Sequence, residues 1–117
     1  MKIQNFEIFE LHAQFCRVIA NPKRLMILAL LHHREMSVGE LAESIGVPLA
    51  TISQHLALLR NRNMVESRKE GQTVFYRVAD DRLMEACTII RSVLLDAMKR
   101  RGEIAQHLDL DDIVLVD

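Results

Sequence analysis

The stretch that decides the fold is residues 37–77, SVGELAESIGVPLATISQHLALLRNRNMVESRKEGQTVFYR. Ser37 and Glu40 have the spacing of a capping box, which predicts a helix that begins there and ends at Gly46. A second helix is predicted over residues 49–62, and two strand-forming segments follow it around a Glu-Gly-Gln turn. A helix, a tight turn, a second helix and a hairpin in this order form the layout of a winged helix-turn-helix.

Three further helices are predicted outside this stretch. The first covers residues 3–19, and Asn21-Pro22 separates it from the second, residues 23–33, which is apolar nearly all round and should be the central core element. The last covers residues 82–101 and ends at a glycine. The fold class is therefore mainly α with a small β-hairpin (α+β): four helices, two strands and a fifth helix.

Length and composition fit one small domain that needs a further apolar contact. A chain of 117 residues can bury only part of its surface alone. The apolar set of the last helix is wider than one small domain needs, which predicts a homodimer through the first and last helices. We expect residues 1–102 to form the winged-helix DNA-binding and dimerisation domain, and residues 103–117 to form an acidic tail whose apolar end docks on a surface that the sequence does not identify.

No segment of the sequence favours a membrane. The longest uninterrupted apolar run, residues 25–31, is too short to span a bilayer, and the start of the chain lacks the basic and apolar regions of a secretory signal. The sequence therefore predicts a cytoplasmic protein without a membrane partner.

Charge is unevenly distributed along the chain. The net charge is −1, yet residues 48–77 hold five cations and two anions, a net of +3 that leaves −4 for the rest. Because phosphate contacts need clustered Lys and Arg, this segment is the part of the chain that can bind nucleic acid. Small and polar residues at the start of the second helix suit entry into a major groove, where Thr, Ser or Gln can bond base edges.

The basic hairpin would lie beside that helix and could reach phosphates or the minor groove. Alternation along its second strand predicts that Val74, Tyr76 and Val78 point inward, with Phe75 and Arg77 on the other face. The predicted partner is double-stranded DNA. The residues predicted to contact it are Ala50, Thr51, Ser53, Gln54, Arg62, Arg68, Lys69, Gln72 and Arg77.

The motifs resemble those of the ArsR/SmtB family of bacterial and archaeal repressors. The segments that carry the resemblance are NPKRL from Asn21, SVGELA from Ser37, TISQHL from Thr51 and GQTVFYR from Gly71. The resemblance implies a homodimeric winged-helix repressor that leaves its operator, an imperfect palindrome, when an inducer binds. It also implies that Ala50, Thr51, Ser53 and Gln54 occupy base- or phosphate-contacting positions, and that His55 serves packing and helix orientation.

The chain departs from the metal-responsive members that it resembles. Many of them carry paired cysteines where this sequence has Ser37 and Gly39. Others begin the last helix with Asp-x-His, whereas here Asp81 is followed by Leu83, and no His occurs before that helix ends. Neither metal site is present, and the sequence predicts no cofactor and an inducer of unknown identity.

Cys16 and Cys87 leave three readings open. Both can be small buried hydrophobes without a sensing role. They can instead meet, within or between subunits, as a reversible disulfide or persulfide switch. Alternatively His12 and Cys16, one helical turn apart, can join Cys87 around a thiophilic metal.

An enzyme is not predicted. The chain has four glycines, none of them in a GxGxxG or GxxxxGK pattern, and no nucleophile paired with a base. The serious alternative is a winged-helix module that docks on protein and does not bind DNA specifically.

Overall fold

The structure, a computed structural model, describes residues 1–102. Its elements in chain order are α1 Phe6–Ile19, α2 Pro22–His33, β1 Met36–Ser37, α3 Val38–Ile45, α4 Leu49–Asn61, β2 Val65–Glu70, β3 Thr73–Val78 and α5 Asp81–Arg100. They divide into two compact units, one comprising residues 1–80 and the other beginning at Asp81. The acidic tail predicted at residues 103–117 lies outside the described residues.

Helix α2 is the centre of the core, as its apolar sequence predicted. The side chain of Asn21 caps it by accepting hydrogen bonds from the amides of Lys23 and Arg24, at 3.0 and 3.2 Å. Pro22 occupies the first position, where its fixed φ suits a helix and its missing N–H costs nothing. All five residues from 27 to 31 are buried.

The helix pair α3 and α4 packs on this core. The predicted capping box is present: Ser37 Oγ accepts from the Glu40 amide at 3.2 Å, and a Glu40 carboxylate oxygen accepts from the Ser37 amide at 3.0 Å. Because the Ser37 amide donates to its carboxylate, the pKa of Glu40 lies below its ordinary value. Gly46 ends α3 at φ +79°, the left-handed conformation predicted for it.

The predicted hairpin is present, and a short third strand that the sequence analysis missed extends it. Strand β1 pairs antiparallel with β3, with Met36 opposite Tyr76, so the sheet order is β1-β3-β2. Two residues are too few to carry an alternating pattern, and Ser37 also serves as a helix cap. Phe75 lies opposite Arg68 in the strand pair, and although the sequence predicted it on the other face from Val74 and Tyr76, it is half-buried as they are.

The first and last helices expose much of their apolar surface. Helix α1 begins at Phe6 rather than at residue 3, with Asn5 as its cap, and Val18 is its one buried residue. Helix α5 buries Met84 and Cys87. None of the helices within residues 1–102 combines the length and the apolar character needed to cross a membrane.

Candidate nucleic-acid interface

One side of α4 faces solvent, and we call it the reading face. It consists of the exposed residues Leu49, Ala50, Ser53, Gln54 and Ala57, whose spacing places them on neighbouring turns of one helical surface. On the opposite side, the fully buried Ile52, Leu56 and Leu59 fix the helix to the core. The reading face is therefore accessible along two turns of a helix that cannot easily rotate.

The polar members of the reading face have unused hydrogen-bonding capacity. Within residues 1–102, neither the Ser53 hydroxyl nor the Gln54 amide has a side-chain partner. Thr51 is half-buried and is the least accessible of the four predicted helix contacts. Ser53 and Gln54 are thus the best placed to bond base edges.

Leu49 is an exposed apolar member of this face that the sequence analysis did not select. Its side chain is 57% exposed at the first position of α4. In the sequence, Leu at this position looks like an ordinary helix former. Only the exposure of the whole turn distinguishes it from the buried leucines of the same helix.

The start of α4 has no side-chain cap. Pro48 holds the cap position, and only its carbonyl oxygen takes part, accepting from the amides of Thr51 and Ile52 at 3.0 and 3.3 Å. The helix therefore starts from the restricted backbone of proline and not from a capping side chain. The first backbone amides of α4 therefore stay available to an anion such as a DNA phosphate.

The tip of the hairpin carries exposed polar side chains on both sides of its turn. Gly71 adopts φ +61° and makes the turn between β2 and β3. Gln72 follows Gly71 directly, and Lys69 precedes it by two positions, before Glu70. Lys69 and Gln72 are both exposed, and neither side chain has a hydrogen-bonding or charged partner among the described residues. They are the wing residues that can reach DNA without first breaking a contact.

Arg68 is already engaged within the protein. Its Nε donates to Glu35 Oε1 at 2.7 Å, its NH1 group donates to Glu70 Oε2 at 2.8 Å, and its guanidinium lies 4.9 Å from the centre of the Phe75 ring. Hydrogen bonds from these two carboxylates raise the pKa of Arg68 further above its ordinary value. These contacts suit a role for Arg68 in stabilising the sheet better than a contact with phosphate.

The other two arginines predicted to contact DNA, Arg77 and Arg62, differ in whether a carboxylate already binds them. Arg77 donates through Nε and NH2 to one oxygen of Glu66, at 3.0 and 2.8 Å, across the strand pair. Arg62 is exposed at the end of α4 and has no acidic partner within residues 1–102. Among the described residues, the predicted contacts Arg62 and Lys69 have no acidic partner, while Arg68 and Arg77 are paired with carboxylates.

The part-buried side chain of Arg24 links α4 to the first two helices. Arg24 NH1 lies 3.3 Å from Nδ1 of His55, and Arg24 Nε donates to the carbonyl oxygen of Val18. Burial, reinforced by the charges of Arg24 and Lys23, lowers the pKa of His55 below its ordinary value. His55 is held from inside the protein, in keeping with the orienting role that the resemblance implied.

The two thiols lie in different surroundings. Cys16 is exposed on α1, while Cys87 is buried on α5. No group of three His, Cys, Asp or Glu side chains within the described part of the chain is arranged to hold a metal ion. The cluster of His12, Cys16 and Cys87 and the disulfide between the thiols remain predictions.

Known proteins share both this sequence pattern and this fold. A family model described as bacterial regulatory protein, arsR family, matches residues 21–67. The nodulation protein NolR of Rhizobium meliloti is 40% identical over 82 residues, which are 70% of this chain and 67% of NolR.

Two solved structures resemble the chain over most of its length. The crystal structure of Rv0081 from Mycobacterium tuberculosis is 34% identical, covers 82% of this chain and 97% of its own, and gives a TM-score of 0.76. The homodimeric winged helix-turn-helix DNA-binding domain Mb0332 from Mycobacterium bovis is 27% identical, with 86% and 93% covered and a TM-score of 0.73. The winged helix-turn-helix predicted from the sequence is confirmed.

Proposed function

Because the chain belongs to the arsR family of bacterial regulatory proteins, we propose that it is a homodimeric transcriptional repressor that binds a specific DNA operator. The observation that carries the proposal is the reading face of α4, which exposes Ser53 and Gln54, together with a wing in which Lys69 has no partner among the described residues. A helix of this kind enters the major groove while the wing contacts the backbone. The chain is accordingly a regulator and not an enzyme.

The dimer part of the proposal rests on the exposed apolar surface of α1 and α5. On α1, Phe6 and Phe9 are 68% and 55% exposed, and on α5, Ile90 and Val93 are each 64% exposed. Large apolar side chains gathered on one element favour burial in an interface. The homodimeric state of Mb0332 supports the same assembly here. A two-fold dimer would bring two reading faces to one side of the duplex, about 34 Å apart, and would select an imperfect palindrome.

The residues that we propose to contact DNA fall into two groups. Ser53 and Gln54, with Ala50 and Thr51 beside them, would meet base edges. Lys69, Gln72 and Arg62 would meet phosphates. Arg68 and Arg77 would contribute to DNA binding through the shape of the hairpin, because their guanidinium groups are occupied by carboxylates.

The proposed readout is tested by Gln54→Ala. Duplexes are first selected from a random pool by the parent protein, and binding to the selected and to scrambled duplexes is then compared at fixed salt. We expect the variant to lose roughly 1–3 kcal/mol on the selected duplex and little on scrambled DNA. An equal loss on both would reject base readout by Gln54. If the parent prefers no duplex and its DNA binding does not depend on salt, the chain is a protein-interaction module instead.

We further propose that modification of Cys16 releases the repressor from DNA. Its thiol is accessible on the helix that we assign to the dimer interface. Hydrogen peroxide would oxidise the Cys16 thiolate to a sulfenic acid and be reduced to water, and a second thiol would then condense with it to a disulfide, releasing another water. Peroxide should weaken operator binding by the parent but not by Cys16→Ser. Identical responses of the two proteins would remove Cys16 from the mechanism.

A further inference from the structure

Arg24 connects three helices through one side chain. It lies in the first turn of α2, its Nε donates to the Val18 carbonyl oxygen in the last turn of α1, and its NH1 lies 3.3 Å from Nδ1 of His55 in α4. All of these residues belong to the compact unit of residues 1–80. The guanidinium is planar and rigid, so the two contacts fix the carbonyl and the imidazole relative to each other.

The base of this side chain is itself held in place. The Asn21 side chain accepts from the Arg24 amide at 3.2 Å, and Pro22 restricts the backbone just before it. At the far end, Val18 is buried, at 7% exposure. We call the two contacts of Arg24, with Val18 and with His55, the bridge. Its backbone at Arg24 and its contact at Val18 both lie in parts of the protein that have little freedom to move.

His55 occupies the flank of α4, between its buried stripe and its reading face. Gln54 on one side in sequence is exposed, whereas Leu56 on the other is fully buried. Since a helix moves as a rigid body, a contact that fixes His55 also fixes the direction in which Ser53 and Gln54 point. The end of α1 and the reading face are then mechanically joined.

We infer that Arg24 is a positioning residue for DNA reading, because it ties the end of the helix assigned to the dimer to the flank of the helix assigned to the major groove. This inference rests on the proposed function. Arg24 itself need not touch DNA. The bridge would set the angle of each reading face relative to the dimer axis, on which recognition of two half-sites depends.

The bridge also fixes the protonation of His55. A guanidinium only donates hydrogen bonds, so Nδ1 must accept and the imidazole must be neutral, with its proton on Nε2. The charged groups that act on His55 among the described residues are Arg24 and Lys23, both from α2, and with burial they lower its pKa. A proton on Nδ1 would place a donor against a donor and a positive charge against another, and the bridge would open.

Three single variants separate positioning from charge. Arg24→Lys keeps the charge but lacks the rigid planar guanidinium, whose Nε and NH1 reach Val18 and His55 in fixed directions. His55→Asn keeps an acceptor near the place of Nδ1 without a group that titrates. Lys23→Gln removes a cation from the neighbouring position and leaves the bridge intact, so it is the matched control.

The first measurement needs no DNA. Nitrogen NMR of the imidazole reports the tautomer and the pKa of His55 in the free protein. We expect the Nε2–H tautomer and a lowered pKa in the parent and in Lys23→Gln, and a mixed tautomer in Arg24→Lys. A parent with the proton on Nδ1, or an Arg24→Lys spectrum identical to that of the parent, would overturn the bridge.

The second measurement compares selected and scrambled duplexes at fixed salt. Loss of a charged hydrogen bond should weaken Arg24→Lys about tenfold on the selected duplex, with scrambled DNA unchanged, while His55→Asn stays within about threefold. Equal weakening on both duplexes would make Arg24 a phosphate contact and overturn the positioning role. If the parent protein prefers no duplex, the proposed function is wrong, and the role of Arg24 in positioning the reading face is wrong with it. The NMR measurement still decides whether the bridge itself exists.

Discussion

Glu35 holds Arg68: one carboxylate oxygen of Glu35 lies 2.7 Å from Nε and 2.6 Å from NH2 of the arginine. Glu35 immediately precedes β1, and Arg68 lies in β2, so this ion pair connects the start of β1 to β2. A guanidinium held in this way cannot approach a phosphate until it leaves the carboxylate. We therefore propose that the wing contact with DNA falls to Lys69, the exposed neighbour of Arg68.

Lys69→Ala should reduce the salt dependence of DNA binding more than Arg68→Gln does. Each phosphate contact contributes about 0.9 to the slope of log affinity against log salt, so the slope should fall by about one unit in Lys69→Ala. Titrations of one duplex at several salt concentrations measure it. Glu35→Gln is the useful control, because it removes one of the two carboxylates that hold Arg68 and should strengthen DNA binding. Equal slopes for Lys69→Ala and the parent, with a reduced slope for Arg68→Gln, would reverse the assignment.

Alanine should have opposite effects on stability at two glycines, Gly39 inside α3 and Gly46 at its end. Gly46 adopts φ +79°, where a side chain is strained, so Gly46→Ala should lower the free energy of unfolding by about 1 kcal/mol. Gly39 lies inside α3 with no atom closer than 4.0 Å to an added Cβ, so Gly39→Ala should be neutral or stabilising by roughly 0.5–1 kcal/mol. Urea unfolding of both variants measures the difference. A destabilised Gly39→Ala with an unchanged Gly46→Ala would contradict this account of the turn.

The sequence predicted the elements well where local chemistry decides them. The capping box and the left-handed Gly46 are both set by residues close together in the sequence. The pairings of Arg68 and Arg24 could not be predicted, because their partners Glu35 and His55 lie 33 and 31 residues away. Such contacts depend on how the helices and strands pack together, and the spacing of residues along the chain does not predict them.

The lowered pKa of His55 predicts that the protein loses stability in mild acid. Since the folded pKa lies below the ordinary 6.5, the unfolded chain binds the proton more readily. The contribution of His55 is therefore complete above that pH and is lost as the pH falls below it toward the folded value. Denaturant unfolding at about pH 7.5 and about pH 5.5 measures the loss, which His55→Asn should reduce. A loss of equal size in the parent and in His55→Asn would assign it to other groups.

Leu49 should contact the methyl group of a thymine. It is the one large apolar side chain on the reading face, and thymine is the base that offers an apolar group in the major groove. Replacing thymine by uracil in a selected duplex removes that methyl group and nothing else. At the correct position the parent should lose about 0.8 kcal/mol, roughly fourfold in Kd.

Leu49→Ala should bind the thymine and uracil duplexes equally, because the partner of the methyl group is gone. Met26→Ala is the matched control, since Met26 is a similarly exposed apolar residue, at 49%, on a different helix, α2, and its loss should leave the uracil effect intact. Competition binding with one thymine replaced at a time identifies the position. Uracil sensitivity that survives in Leu49→Ala would assign the methyl contact to another residue, with Ala50 as the next apolar member of the face.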